Sequence, residues 1–273
     1  MWSNKCYNSI FIKGTWWFAS FFDTEVDLTK VEAIIKKKRN EGIKIGVIDY
    51  IFAATIRTIS QYPRVNRFVA GRRLFARNTI CVSTIIKKEF NLSSYRTLVK
   101  SDFNPNATLK DVNDLLQNII IKNKGKETEN DLDKFLKAIN RLPRPLYSLA
   151  INVLSWLDFH GKLPKYIYKI CPFHSSVIIT HMGSIGSEPM YHHICNWGTT
   201  SLFIAVGAKR KIKQIDNDGN IIEKKIIRLR FVADERIADG YYLSKSLKYF
   251  NYLFSNPELL EIPPEKVLED DQI

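Results

Sequence analysis

At 273 residues, 45% hydrophobic and 25% charged, the chain has the composition of an ordinary globular protein and is long enough to bury a core without disulfide or metal staples. A formal charge of +13, from 41 basic and 28 acidic residues, favours anionic partners; the basic residues are dispersed along the chain, which argues against nucleic acid as the partner. The four cysteines, Cys6, Cys81, Cys171 and Cys195, show no Cys-x-x-Cys spacing, so no metal centre or disulfide framework is expected and a reducing, cytoplasmic setting fits.

In chain order, residues 1–22 show no unbroken apolar run of the signal-peptide kind. Thr15 to Asp27 alternates aromatic and polar residues as a strand does. A helix follows, capped by Asp27 or Thr29, with Val31, Ile34 and Ile35 as its apolar stripe and Glu41-Gly42 as its stop. Gly46 to Gln61 reads as a second helix with Ile48, Ile51, Thr55 and Ile59 on one face, ended by Tyr62-Pro63. Thr79 to Ile86 is rich in β-branched residues and reads as a strand, with Leu92 to Lys100 as its neighbour. Thr108 and Asp111 have the spacing of a capping box for a helix through Ile120, and Ile121 to Asn130 reads as a charged surface segment.

The apolar run Leu146 to Leu157 is too short to span a bilayer and is expected as a buried or interfacial helix. Val177 to Thr180 is a short buried strand leading into a turn at Gly183 and Gly186. Ser201 to Val206 is another strand. Lys209 to Ile215 and Ile221 to Val232 flank Asn217-Asp218-Gly219, a hairpin signal. A last helix from about Gly240 places Leu243, Leu247, Phe250 and Phe254 on one face. Residues 1–264 read as a single domain and the acidic tail, 265–273, as disordered.

The stretch Asp234-Glu235-Arg236-Ile237-Ala238-Asp239-Gly240 resembles the Asp-His-Arg-x-x-Asp-Gly signature of the acyltransferase component of 2-oxo-acid dehydrogenase complexes, structural cousins of chloramphenicol acetyltransferase. Phe21 to Lys30, Ile48 to Phe90 with Pro63-Arg64-Val65-Asn66, Ile178 to Gly183, and Phe203 to Asn256 resemble the same family in the same order. The resemblance implies an α/β, chloramphenicol acetyltransferase-like two-layer fold with a mixed sheet flanked by helices. It also implies a homotrimer with active sites between subunits and coenzyme A as acyl-donating co-substrate, the acceptor being a small molecule. Neither a lipoyl domain nor a subunit-binding domain is read in the chain, so it is not expected to carry its own swinging arm.

In that family the signature His is the general base; here Glu235 holds its position. Glu235 is therefore the candidate base, provided its site strengthens it. Asp239 is the candidate structural carboxylate, expected to pair with a basic residue, and Gly240 the turn residue. Thr180 corresponds to the family's oxyanion-stabilising hydroxyl. Gly183 and Ser184 are candidate coenzyme A contacts, and His181 and His193, with His192 beside them, are alternative bases. Cys195 has no visible activating group and reads as a buried, inert thiol. Trp197-Gly198-Thr199-Thr200 replaces the family's Asn-Pro-Pro-Gln, which alters the acceptor side. Two readings follow: an acyltransferase with altered chemistry, or a non-catalytic trimeric scaffold that kept the fold and lost the base.

Overall fold

The computed structural model describes residues 18–87, 96–123, 131–215, 218–270 and 272. Eight strands carry the architecture: β1 (Ala19–Asp27), β2 (Arg67–Ala70), β3 (Arg73–Ala76), β4 (Ile80–Lys87), β5 (Arg96–Phe103), β6 (Val177–His181), β7 (Leu202–Ile215) and β8 (Ile221–Asp234). The helices are α1 (Thr29–Asn40), α2 (Val47–Gln61), α3 (Leu109–Asn123), α4 (Asp131–Asn140), α5 (Arg144–Phe159), α6 (Lys165–Ile170) and α7 (Gly240–Ser255). Six strands form one mixed sheet in the order β1-β8-β7-β6-β4-β5, and β2 and β3 form a separate ribbon. β6 runs parallel to both β4 and β7; the other pairs are antiparallel. The expected α/β fold, a mixed sheet flanked by helices, is the observed one.

Local signals explain where the elements begin. Asp27 Oδ1 accepts from Thr29 N at 2.8 Å, and Val31 and Ile35 are the buried stripe of α1. Thr108 and Asp111 form the expected reciprocal cap of α3: Thr108 N donates to Asp111 Oδ2 at 2.9 Å and Asp111 N to Thr108 Oγ1 at 3.4 Å. Gly219 takes the left-handed conformation the hairpin needs (φ 86), and β7 and β8 pair from Ile215↔Ile221 onward. The first residues of the expected β1, residues 92–95 of β5's expected span and Asn217 lie outside the described residues.

Three departures have physical reasons. α2 has no single apolar stripe: residues all round it, from Tyr50 and Phe52 to Ile56 and Ile59, are buried, because sheet, α3 and α7 enclose it. The two strands expected on either side of Gly207 are one strand, β7, with a register shift between Val206 and Lys209. The tail expected to be disordered is tied to the domain. Gln61 Nε2 donates to Lys266 O at 2.7 Å, Leu268 N donates to Ser60 O at 3.0 Å, and Asp270 takes two bonds from Arg67, both 2.5 Å. An arginine only 3% exposed needs a carboxylate partner, and local composition cannot reveal that demand.

The core lies between the sheet and α1, α2, α3 and α7, with Leu28, Tyr50, Ile204, Leu229 and Leu253 among its most buried side chains. The opposite edge differs. α5, expected as a buried or interfacial helix, has no buried residue, and Leu149 and Trp156 on it are 59% and 55% exposed. Among the described residues no helix is long and apolar enough to cross a membrane.

Candidate active site

The loop between β8 and α7 is built by two carboxylates. Asp234, 2% exposed, ends β8 and accepts from Arg236 N at 3.0 Å and Arg236 Nε at 2.8 Å, folding the chain back on itself. Ile237 and Ala238 then plug into the core. Asp239 caps α7, its Oδ1 accepting from Tyr242 N at 2.8 Å. The expected pairing of Asp239 with a basic residue is thus replaced by a cap, and the loop's ion pair belongs to Asp234 and Arg236. Gly240, expected as the turn residue, is the first residue of α7, is not among the glycines of positive φ, and a Cβ there would meet nothing within 4 Å, so the turn does not require glycine.

Glu235 stands on this loop with its side chain exposed, its Oε1 accepting a hydrogen bond from Ser20 Oγ of β1 and its N–H donating to Phe18 O at 2.8 Å. Thr180, 8% exposed, lies on β6. It pairs with Ala205, which pairs with Arg230, so Glu235 lies five residues further along β8. At ~3.3 Å per residue this separates the two by about 16 Å along the strands, with β7 between them. Within one chain the candidate base and the candidate oxyanion donor do not meet.

Beyond Thr180 the chain turns through a 3₁₀ segment, Met182–Ile185, with Ser184 Oγ donating to His181 O at 2.9 Å. Gly183 is required here by contact, since a Cβ would sit 2.3 Å from Gly207 O at the β7 bulge. Gly183→Ala is therefore expected to cost about 1–3 kcal/mol and to displace Ser184, measurable as a lowered unfolding midpoint with Gly207 amide shifts. Burial and then the Lys209 cation hold the His181 imidazole below its ordinary pKa. His193 is exposed on the segment that follows.

His192 is the histidine brought to Glu235's end of the sheet. Its ring stacks on Phe203 (4.5 Å, 22°), and Phe203 pairs with Val232, three residues before Glu235. Burial, then His193, lowers its pKa, keeping it neutral and able to accept a proton. Cys195, read as buried, is exposed.

A cavity of about 460 Å³ opens beside the loop, between Arg72, Asp158, Phe159, Trp197, Thr199 and Arg236. It joins the Trp197–Thr200 segment, where the sequence departs from the family pattern it resembles, to the residue following Glu235. An apolar void of about 30 Å³ under Phe22, Phe231 and Phe250 is too small for a substrate. Among the described residues no group of three or more His, Cys, Asp or Glu side chains is gathered for a metal.

Comparison with solved structures gives the class of fold. The chain is similar to a probable dihydrolipoamide acetyltransferase from Listeria monocytogenes, with TM-score 0.59 and 16% identity over 87% of this chain and 84% of that one. It is similar to chloramphenicol acetyltransferase, with TM-score 0.56 and 10% identity over 93% and 96% of the two chains. The cubic core of the pyruvate dehydrogenase multienzyme complex aligns with TM-score 0.55 and 12% identity over 94% and 88%. No family model matches the chain. These neighbours are the proteins the sequence resemblance named, and the chain has their acyltransferase fold.

Proposed function

We propose that the protein transfers an acyl group from coenzyme A to a small acceptor, as a homotrimer with each site shared by two subunits. The observation that carries this reading is the retained Asp234–Gly240 loop on an acyltransferase fold, with Glu235 about 16 Å along the strands from Thr180, a separation that a second copy would bridge. In this reading Glu235 takes the proton from the acceptor's hydroxyl or thiol as it attacks the thioester carbonyl. Thr180 of the adjoining subunit hydrogen-bonds the oxyanion, which collapses to expel the coenzyme A thiol. The acceptor occupies the cavity walled by Trp197 and Arg236. The Gly183–Ser184 turn borders the donor, whose phosphates suit the hollow where Lys36, Arg39, Lys209 and Lys225 outnumber Glu32 and Glu223. His181, His192 and His193 are the alternative bases.

The second reading, a trimeric scaffold without chemistry, is favoured by one fact: the Glu235 carboxylate is exposed and already bonded to Ser20. Incubation of the pure protein with acetyl-coenzyme A and panels of thiols, alcohols and amines separates the two. Acceptor-dependent release of free coenzyme A thiol supports transfer. Calorimetric silence toward coenzyme A, with no thiol release above background, selects the scaffold.

A further inference from the structure

The ribbon β2–β3 ends in a loop of two residues, Gly71 and Arg72, since Ala70 pairs with Arg73 across it. Both take the left-handed conformation, Gly71 at φ 54 and Arg72 at φ 63, as a hairpin turn of this length demands. Glycine is required at the first position. A Cβ on Gly71 would lie 2.9 Å from Phe159 O at the end of α5, so the turn is pressed against that helix. Arg72 is the unexpected residue. It is the single non-glycine residue of positive φ among the described residues, at a position where glycine would carry no strain. Strain of this kind, on a side chain exposed to solvent, directs attention to what that side chain does.

The turn places Arg72 on the wall of the 460 Å³ cavity, whose size suits a small molecule. Charge accounting around the cavity leaves one group over. Arg236 is satisfied by Asp234, its Nε lying 2.8 Å from Asp234 Oδ1, with the two side chains 6% and 3% exposed. Asp158 has both oxygens taken: Oδ1 is 2.7 Å from His174 Nε2, and Oδ2 accepts from Gly198 N at 2.9 Å. The Arg72 guanidinium has neither a hydrogen-bond nor an ion-pair partner among the described residues. Phe159 and Trp197 supply aromatic wall, and Val69 and Ala70 aliphatic wall.

A hollow with aromatic walls and one unanswered guanidinium has the chemistry of a carboxylate site. The planar fork of donors matches a carboxylate through two parallel bonds. A single cation also balances a single negative charge, whereas a phosphate dianion beside Asp158 would need a second.

We propose that this cavity binds a small carboxylic acid with an apolar or aromatic side chain, its carboxylate on the Arg72 guanidinium. The role of that acid as acyl acceptor, through a hydroxyl or thiol it also carries, rests on the acyl-transfer reading; its binding does not.

Lactate, 2-hydroxyisovalerate and 3-phenyllactate, each beside its neutral amide, test the site on the full-length protein by ligand-observed NMR without any acyl donor. At least one acid is expected to bind about fivefold or more tightly than its amide. Arg72→Met keeps an unbranched apolar stem and loses the charge, and should weaken that acid about five- to tenfold while leaving the amide unchanged. Arg72→Gly guards against misfolding, because glycine suits the turn: its unfolding midpoint should match or exceed that of the wild type while selectivity for the acid is lost. Coenzyme A added to the bound acid separates the two sources of a negative charge. Acid signals unchanged by saturating coenzyme A support a site of its own, and displacement of the acid would put a donor phosphate at Arg72 and refute the assignment. Acids and amides bound alike, acids that do not bind, or selectivity that survives both variants equally overturn it. Release of coenzyme A thiol is read separately: selective binding without release leaves the carboxylate site standing and removes acyl transfer alone.

Discussion

Replacing Asp270 with alanine is expected to destabilise the protein by about 3–5 kcal/mol, because it strands Arg67 as an unpaired buried cation. The side chains of Arg67 and Asp270 are 3% and 5% exposed and joined by two bonds of 2.5 Å. Arg67 also donates to Ile237 O at 3.4 Å, so the tail steadies the loop that presents Glu235. The urea midpoint should fall by on the order of 1 M or more. Arg67→Met with Asp270→Leu should recover most of the loss, since the charge that needs a partner is then gone. The pH dependence has a fixed sign. Burial pushes the Asp270 carboxyl up, but Arg67 more than offsets it and the folded value lies below the ordinary one. The contribution is therefore complete above the unfolded carboxyl pKa of about 4 and disappears as pH falls through the lower folded value. The gap between wild type and Asp270→Ala should close in acid; a gap that stays constant down to about pH 2 would falsify the assignment.

The second large effect concerns the shared site. Under the acyl-transfer reading, Glu235→Gln is expected to lower kcat by about 10²–10⁴-fold, the usual worth of a positioned general base. Thr180→Val removes an oxyanion donor and should cost about 10²–10³-fold. Mixing is more informative than either alone. If each site takes Glu235 from one chain and Thr180 from its neighbour, refolding equal amounts of the two variants together restores about a quarter of the sites, those formed by the two intact faces. A site contained in one chain restores none. Activity that survives Glu235→Gln undiminished would instead point to His192, the histidine at that end of the sheet.

The site was legible to different depths. The Asp234–Gly240 motif was readable because its residues are consecutive, and the structure places it as the turn into α7. The roles inside it were not, since a sequence names a carboxylate without naming its partner: Asp239 caps a helix, and Arg236 answers to Asp234 instead. Among the histidines the sequence pointed to His181, His192 and His193 alike by their nearness to Gly183, without separating them. His192 gains its position from stacking on Phe203 of a strand that follows it in the chain. His174 likewise gains its partner only in the folded chain, where its Nε2 lies 2.7 Å from Asp158 Oδ1 of α5.

What the sequence determined by itself is periodic or local: β1, β4 to β8, the helices α1, α2, α3, α5 and α7, the cap at Thr108 and the Gly219 hairpin, while the acyltransferase fold came from the resemblance of ordered segments to that family. These depend on neighbours a few residues away, and hydrophobic periodicity records them directly. The tertiary structure alone decided which charges are buried and what meets them. Arg67 recruits an acidic tail that by composition belonged in solvent, and α2 is enclosed on every side. Burial raises the cost of an unpaired charge from nearly nothing to several kcal/mol, and whether a residue is buried depends on the whole chain.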